Sequence, residues 1–127
     1  MKLLKSEILW DCKEWKACNG AIVWLRKSRK KYIEIKDVPK KSWVAWYLYL
    51  AGLNWKDERF TPEIEDALIK TGNAGYLYWA GCNWKDGRFT PEIRDALIKT
   101  GNAVYIFHAG WDWPDERKKD WRGNEIT

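Results

Sequence analysis

Residues 47–75 read YLYLAGLNWKDERFTPEIEDALIKTGNAG, and residues 76–104 read YLYWAGCNWKDGRFTPEIRDALIKTGNAV. The two stretches align without a gap over 29 positions and differ at five: Leu50/Trp79, Leu53/Cys82, Glu58/Gly87, Glu65/Arg94 and Gly75/Val104. A third copy opens at Tyr105 with YIFHAGWDWPDER, keeps Ala109, Gly110, Trp113, Asp115 and Arg117, and then dissolves into the polar tail KKDWRGNEIT. A repeat of this length is one supersecondary unit that stacks on its neighbours.

Each repeat reads as two short helices. In the stretch from Thr61 to Gly72, Thr61 is placed as N-cap, Pro62 as the first helical residue, and Glu63 at the positive end of the helix dipole. Ile64, Ala67 and Leu68 fall at i, i+3, i+4 and make one inward stripe, repeated at Ile93, Ala96 and Leu97. Gly72 stops this helix. Asn73 then caps a second one, expected from Ala74 to Ala80 with Gly81 as its C-terminal glycine.

Helices of two to three turns do not hold their shape alone, so each repeat must bury its stripe against the next. The expected fold is all-α: a short helical-repeat solenoid with a divergent basic N-terminal cap and a truncated C-terminal repeat. Residues 1–127 form a single domain in this reading. Residues 1–41 are the cap, 42–104 the two repeats with their lead-in, and 105–127 the partial repeat and polar tail. Asn19-Gly-Ala-Ile-Val-Trp-Leu25 and Ser42-Trp-Val-Ala-Trp46 echo the Thr71–Leu77 segment loosely.

The motifs TGNAGYLYWAG and TGNAVYIFHAG resemble those of short HEAT-like α-helical tandem repeats of prokaryotic and phage proteins, in which a Tyr-rich helix follows a T-G-N-A turn. The resemblance covers about residues 42–113. It implies a stacked helical architecture and assigns no function; its reach into phage proteins makes a compact inhibitor of a host or bacterial defence complex one concrete version of a binding role. The unit is shorter than ankyrin or tetratricopeptide repeats and lacks the TPLH segment of the former.

Composition narrows the remaining classes. The chain has 127 residues, 46% of them hydrophobic, with 11 Trp, 6 Tyr and 3 Phe, enough apolar mass for a core without staples. Cys12, Cys18 and Cys82 are an odd set with no CxxC spacing, which points to thiols in a reducing, cytoplasmic compartment and to no metal or cofactor. Lys5, Glu7, Asp11 and Lys13 interrupt any signal-peptide core, and the longest apolar run, Trp43 to Leu53, is too short to span a bilayer. No membrane association is expected.

Charge is unevenly distributed. Residues 1–46 carry 12 Lys and Arg against 5 Asp and Glu, whereas residues 47–127 carry 11 against 13. Most of the surplus lies in Arg26, Lys27, Arg29, Lys30 and Lys31, followed by Lys36, Lys40 and Lys41. Trp24, Tyr32, Trp43 and Trp46 interleave with this run. Phosphate contacts from the cations and base stacking on Trp43 make RNA or DNA the alternative partner. A solvated helix or loop face accounts for the same charges.

Two sets of residues are candidates for contact with a protein partner. Trp55, Trp84 and Trp113 recur in the turn N/D-W-x-D-x-R. They form either an exposed ladder or wedges between repeats, with Asp holding the turn and Arg pairing across the repeat boundary. The other set is the positions that differ between copies, which stacking does not fix. Leu50, Trp79 and His108 share one position, Leu53, Cys82 and Trp111 another three residues on, so both lie on one helix face. His108 is the single histidine, which excludes a multi-His metal site and leaves no catalytic residue indicated. Glu63, Glu92, Asp66 and Asp95 recur with the repeat and fit helix-end electrostatics. The leading expectation is a non-enzymatic protein that binds another protein through the helical surface; the sequence leaves the oligomeric state open.

Overall fold

A computed structural model describes residues 1–16 and 19–118, so Cys18 and the tail from residue 119 lie outside the described residues. The chain divides into two compact units, Met1–Val44 and Ala45–Thr127. Among the described residues the fold is all-α apart from one two-stranded sheet.

In the first unit β1 (Lys2–Leu4) leads directly into α1 (Lys5–Glu14); α2 (Asn19–Lys27) and β2 (Tyr32–Glu34) come next. β1 and β2 pair antiparallel, with Leu3 opposite Ile33, a short sheet within the otherwise helical cap. Strands of three residues carry too little alternation to be seen in sequence. The Lys5 amide bonds the Lys31 carbonyl at 2.9 Å and its ammonium donates to the Ser28 carbonyl at 2.8 Å, tying the start of α1 to the end of the basic loop. Ile8, Cys12, Ala21, Leu25, Ile33 and Val38 are buried.

The second unit begins within α3 (Lys41–Asn54) and continues through α4 (Pro62–Thr71), α5 (Ala74–Asn83), α6 (Pro91–Thr100) and α7 (Ala103–Asp112), ending on a 3₁₀ turn at Asp115–Lys118. α5 packs on α7 and α4 on α6, while α4, α5 and α6 each also pack on the helix next in sequence. The inward stripes hold: Ile64, Leu68, Ile93 and Leu97 are buried. Gly72 and Gly101 sit at φ 64° and 70° and end α4 and α6 in the left-handed conformation that glycine adopts without strain. Asn73 and Asn102 cap the next helices, their side chains accepting from the Tyr76 and Tyr105 amides at 3.2 and 3.3 Å.

Two local expectations are corrected. Thr61 and Thr90 occupy the N-cap positions without a side-chain cap bond. The Thr90 hydroxyl instead donates to the buried Glu65 carboxylate of the preceding repeat. Nor does Gly81 end α5, which runs on to Asn83. A Cβ on Gly81 would collide with the Trp113 indole, and one on Gly52 with the Trp84 indole. These glycines are seats for the tryptophan of the next repeat.

Around each seat the same contacts recur one repeat apart. Trp84 Nε1 donates to the Tyr49 carbonyl at 3.0 Å, and Trp113 Nε1 to that of Tyr78 at 2.9 Å. Arg88 Nη1 reaches the Gly52 carbonyl at 2.9 Å, and Arg117 Nη1 that of Gly81 at 2.8 Å. The second guanidinium nitrogens bond Asp57 at 3.0 Å and Asp86 at 2.9 Å. Phe60 meets Trp84 edge-on and lies under Arg88; Phe89 does the same for Trp113 and Arg117. Each indole is almost wholly buried, a contribution of about 1.5–3 kcal/mol from apolar burial alone.

Alanine at a seat raises helix propensity by about 0.5–1 kcal/mol but overpacks the indole, which costs about 1–3 kcal/mol. Gly81→Ala therefore lowers the urea midpoint, whereas Gly87→Ala, with nothing within 4 Å of the added carbon, leaves it unchanged or raises it. A second effect appears on titration. Burial raises the Glu65 carboxyl above its ordinary value of 4.5, so its ionisation disfavours the folded state at neutral pH. That penalty is complete above the folded pKa and vanishes as the pH falls below the ordinary one. Glu65→Gln is expected to be more stable than wild type at pH 7, with the difference in urea midpoint shrinking as the pH is lowered to about 4.

Candidate functional site

The helices α5 and α7 each bury one side and present the other, whereas α3 is exposed only at its ends, at Lys41, Ser42, Leu53 and Asn54. On α5 the buried residues are Ala74, Leu77, Tyr78, Ala80 and Gly81; on α7 they are Ile106 and Ala109. Of the positions that differ between repeats, Trp79 and Cys82 on α5 and His108 and Trp111 on α7 fall opposite this stripe. Trp79 is 46% exposed, Trp111 71% and Leu53 40%, His108 is exposed as well, and Leu50 and Cys82 are half-buried.

On α5 and α7 the exposed rings of Trp79, His108, Phe107 and Trp111 are joined into a strip by way of buried Tyr78. Tyr78 contacts Trp79 edge-on with centroids 5.1 Å apart and lies 6.3 Å from His108. His108 meets Phe107 at 6.2 Å, and Phe107 lies 4.4 Å from Trp111 across one helical turn. Phe107 is an addition that sequence reading missed, and Val104, already seen to differ between copies, is 63% exposed. Phe107 occupies the position of Tyr49 and Tyr78, which tilt against Tyr76 and Tyr105 of the next repeat at 5.7 Å each. Among the described residues no such tyrosine comes after Phe107, and it remains 48% exposed.

One polar substitution changes the chemistry beneath the strip. Asn83 of the second copy donates its Nδ2 to the Tyr49 hydroxyl of the first at 2.8 Å. In the third copy Asp112 replaces the amide, and the Tyr78 hydroxyl of the second donates to its carboxylate at 2.5 Å. That bond, with burial, holds the Tyr78 phenol far above its ordinary range. Burial also raises the Cys82 thiol, which keeps it protonated and a poor nucleophile. The strip is thus an aromatic surface with one imidazole within the run of rings and one carboxylate bonded to Tyr78, suited to apolar contact and hydrogen bonding.

Trp55, Trp84 and Trp113 do not belong to it. Exposures of 6%, 1% and 2% rule out the exposed ladder, and Trp84 and Trp113 hold the wedge position between repeats. The reason, for Trp84 and Trp113, is the glycine seat, which admits the indole edge and leaves a carbonyl within reach of its N–H.

In the first unit Arg26, Lys27, Arg29, Lys30, Lys31, Lys36, Lys40 and Lys41 are all exposed, and in the stretch from Arg26 to Lys31 only Ser28 is half-buried. Lys31 Nζ stands 5.7 Å from the ring of half-exposed Tyr32, and Lys41 Nζ donates to the Lys36 carbonyl at 2.5 Å. Trp43 is 4% exposed and is corrected as a base-stacking residue: its ring is not available to a ligand. Trp10, unremarked in sequence because it lies outside every repeat, is 61% exposed. No group of three or more His, Cys, Asp or Glu side chains is placed to hold a metal ion among the described residues, and no described helix is long and apolar enough to cross a membrane.

Strip and wedge tryptophans separate in a stability measurement. Trp113→Ala is expected to cost about 3–5 kcal/mol in urea unfolding, as for a fully packed aromatic residue. Trp111→Ala and Trp79→Ala should each stay within about 0.5 kcal/mol of wild type.

No protein-family model matches this chain, nor does any curated protein or solved structure, so its function is to be read from the chemistry of its own side chains.

Proposed function

We propose that the chain is a short helical-repeat solenoid that binds another protein through the aromatic strip of α5 and α7. The observation that carries this reading is the unbroken run of ring contacts from Trp79 through Tyr78, His108 and Phe107 to Trp111, with Trp79, His108 and Trp111 on positions the repeat does not need for stacking. Tryptophan and tyrosine are the residues most enriched at interface hot spots, because a large rigid surface is buried at little cost in side-chain entropy. The inward stripes and glycine seats support the scaffold half of the proposal. They fix the backbone of each helix, so that Leu50, Trp79 and His108, and Leu53, Cys82 and Trp111, vary without disturbing it.

Nucleic-acid binding by the first unit is a second reading. The exposure of Arg26, Lys27, Arg29, Lys30, Lys31, Lys40 and Lys41 favours it.

Affinity capture from a nuclease-treated extract tests the first reading against the second. Wild type is expected to retain a protein partner. Trp79→Ala and Trp111→Ala should each weaken retention by about 30-fold, the effect of losing a hot-spot residue. Arg29→Glu and Lys30→Glu should leave it intact. Retention that survives both tryptophan changes, or that disappears on nuclease treatment, overturns the protein-binding reading.

A further inference from the structure

A groove in the first unit, apart from the aromatic strip, carries a different chemistry. It lies between α1 and α2, has a volume of about 470 Å³, and is lined by Ser6, Leu9, Trp10, Cys12, Lys13, Lys16, Ile22 and Arg26. That volume falls within the range of about 300–1,000 Å³ usual for small-ligand sites.

Helical periodicity explains how the lining is assembled. Ser6, Leu9, Trp10 and Lys13 are spaced at i, i+3, i+4 and i+7 on α1, and Ile22 and Arg26 at i and i+4 on α2. The carboxylates of α1, Glu7, Asp11 and Glu14, fall outside the lining, and α2 contains none. The groove therefore has three cations, Lys13, Lys16 and Arg26, one hydroxyl and no acid.

Its walls differ in kind. Cys12 is buried at the base, and Leu9 and Ile22 are half-buried beside it. Trp10 stands 61% exposed at one side, and Lys13 Nζ is 5.9 Å from its ring centroid. A phosphate held by Lys13 and a flat ring packed against Trp10 are thus neighbours, as the phosphate and base of one nucleotide are. Lys16 and Arg26 supply the further positive charge that a doubly ionised phosphate requires, and Arg26 offers it a bidentate fork.

We propose that the α1–α2 groove binds a nucleoside monophosphate group, with the base stacked on Trp10 and the phosphate on Lys13, Lys16 and Arg26. The group is either a free nucleotide or one residue of a single strand. The second source uses the exposed run Lys27 to Lys31, which continues from Arg26 along the chain.

The test tracks the Trp10 indole resonance in a ¹H–¹⁵N spectrum, identified by its loss in Trp10→Phe. Adenosine 5′-monophosphate is expected to shift it saturably, and to bind at least about tenfold more tightly than adenosine or inorganic phosphate alone, since each lacks one of the two contacts. Lys13→Glu and Arg26→Glu, both at exposed positions, should each weaken binding by about tenfold or more with the other indole signals unmoved. A dA oligonucleotide that binds more tightly than the mononucleotide, with steep salt dependence and the same loss in Trp10→Ala, assigns the group to a strand; equal affinity assigns it to a free nucleotide. A Trp10 signal unmoved by millimolar nucleotide and by the oligonucleotide overturns the proposal. So does equal binding of adenosine, or tighter binding of phosphotyrosine. An oligonucleotide whose affinity ignores both Trp10→Ala and Lys13→Glu places its contacts on the basic run and removes the groove, leaving the second reading of function standing.

Discussion

An indole lying on a glycine is the contact that organises the repeats. Trp84 on Gly52 and Trp113 on Gly81 bring successive helices within the distance at which the indole N–H reaches a backbone carbonyl of the helix before. The arginine four residues on closes the arrangement from the other side, taking the seat glycine's own carbonyl and an aspartate of the previous turn. Phenylalanine fills the space between them. Hydrophobic burial supplies most of the energy and the hydrogen bonds supply register, because a displaced indole would leave a buried donor without a partner, at about 1–3 kcal/mol.

Much of this was legible in the sequence wherever the cause is local. The ends of α4 and α6 are set by Pro62 and Pro91 at one side and Gly72 and Gly101 at the other, and Asn73 and Asn102 cap as their residue type suggests. Where the cause is tertiary, the same residue types mislead. Gly81 reads as a helix stop and is a packing seat; Thr90 reads as a cap and bonds Glu65 of another repeat. Both errors share a source, since glycine and threonine each have a local and a long-range use that no neighbour in sequence distinguishes.

The candidate sites divide along the same line. Comparison between copies picked out Trp79, His108 and Trp111, because a position released from stacking is free to vary. It could not find Phe107, whose exposure depends on which ring packs over it in space, nor Trp10, which has no counterpart in any copy. Trp43 was misjudged for the converse reason. Its place among cations suggested a surface, but its ring is buried.

Both seated indoles point backwards along the chain. Gly52 precedes Trp84 and Gly81 precedes Trp113, so on a ribosome each seat has left the exit tunnel before the indole that fills it. A nascent repeat meets a finished surface and docks as it emerges, with no need to wait for sequence still to be made. Assembly by this route has a direction written into it, and elongation by a further copy would call for no change in the copies already folded.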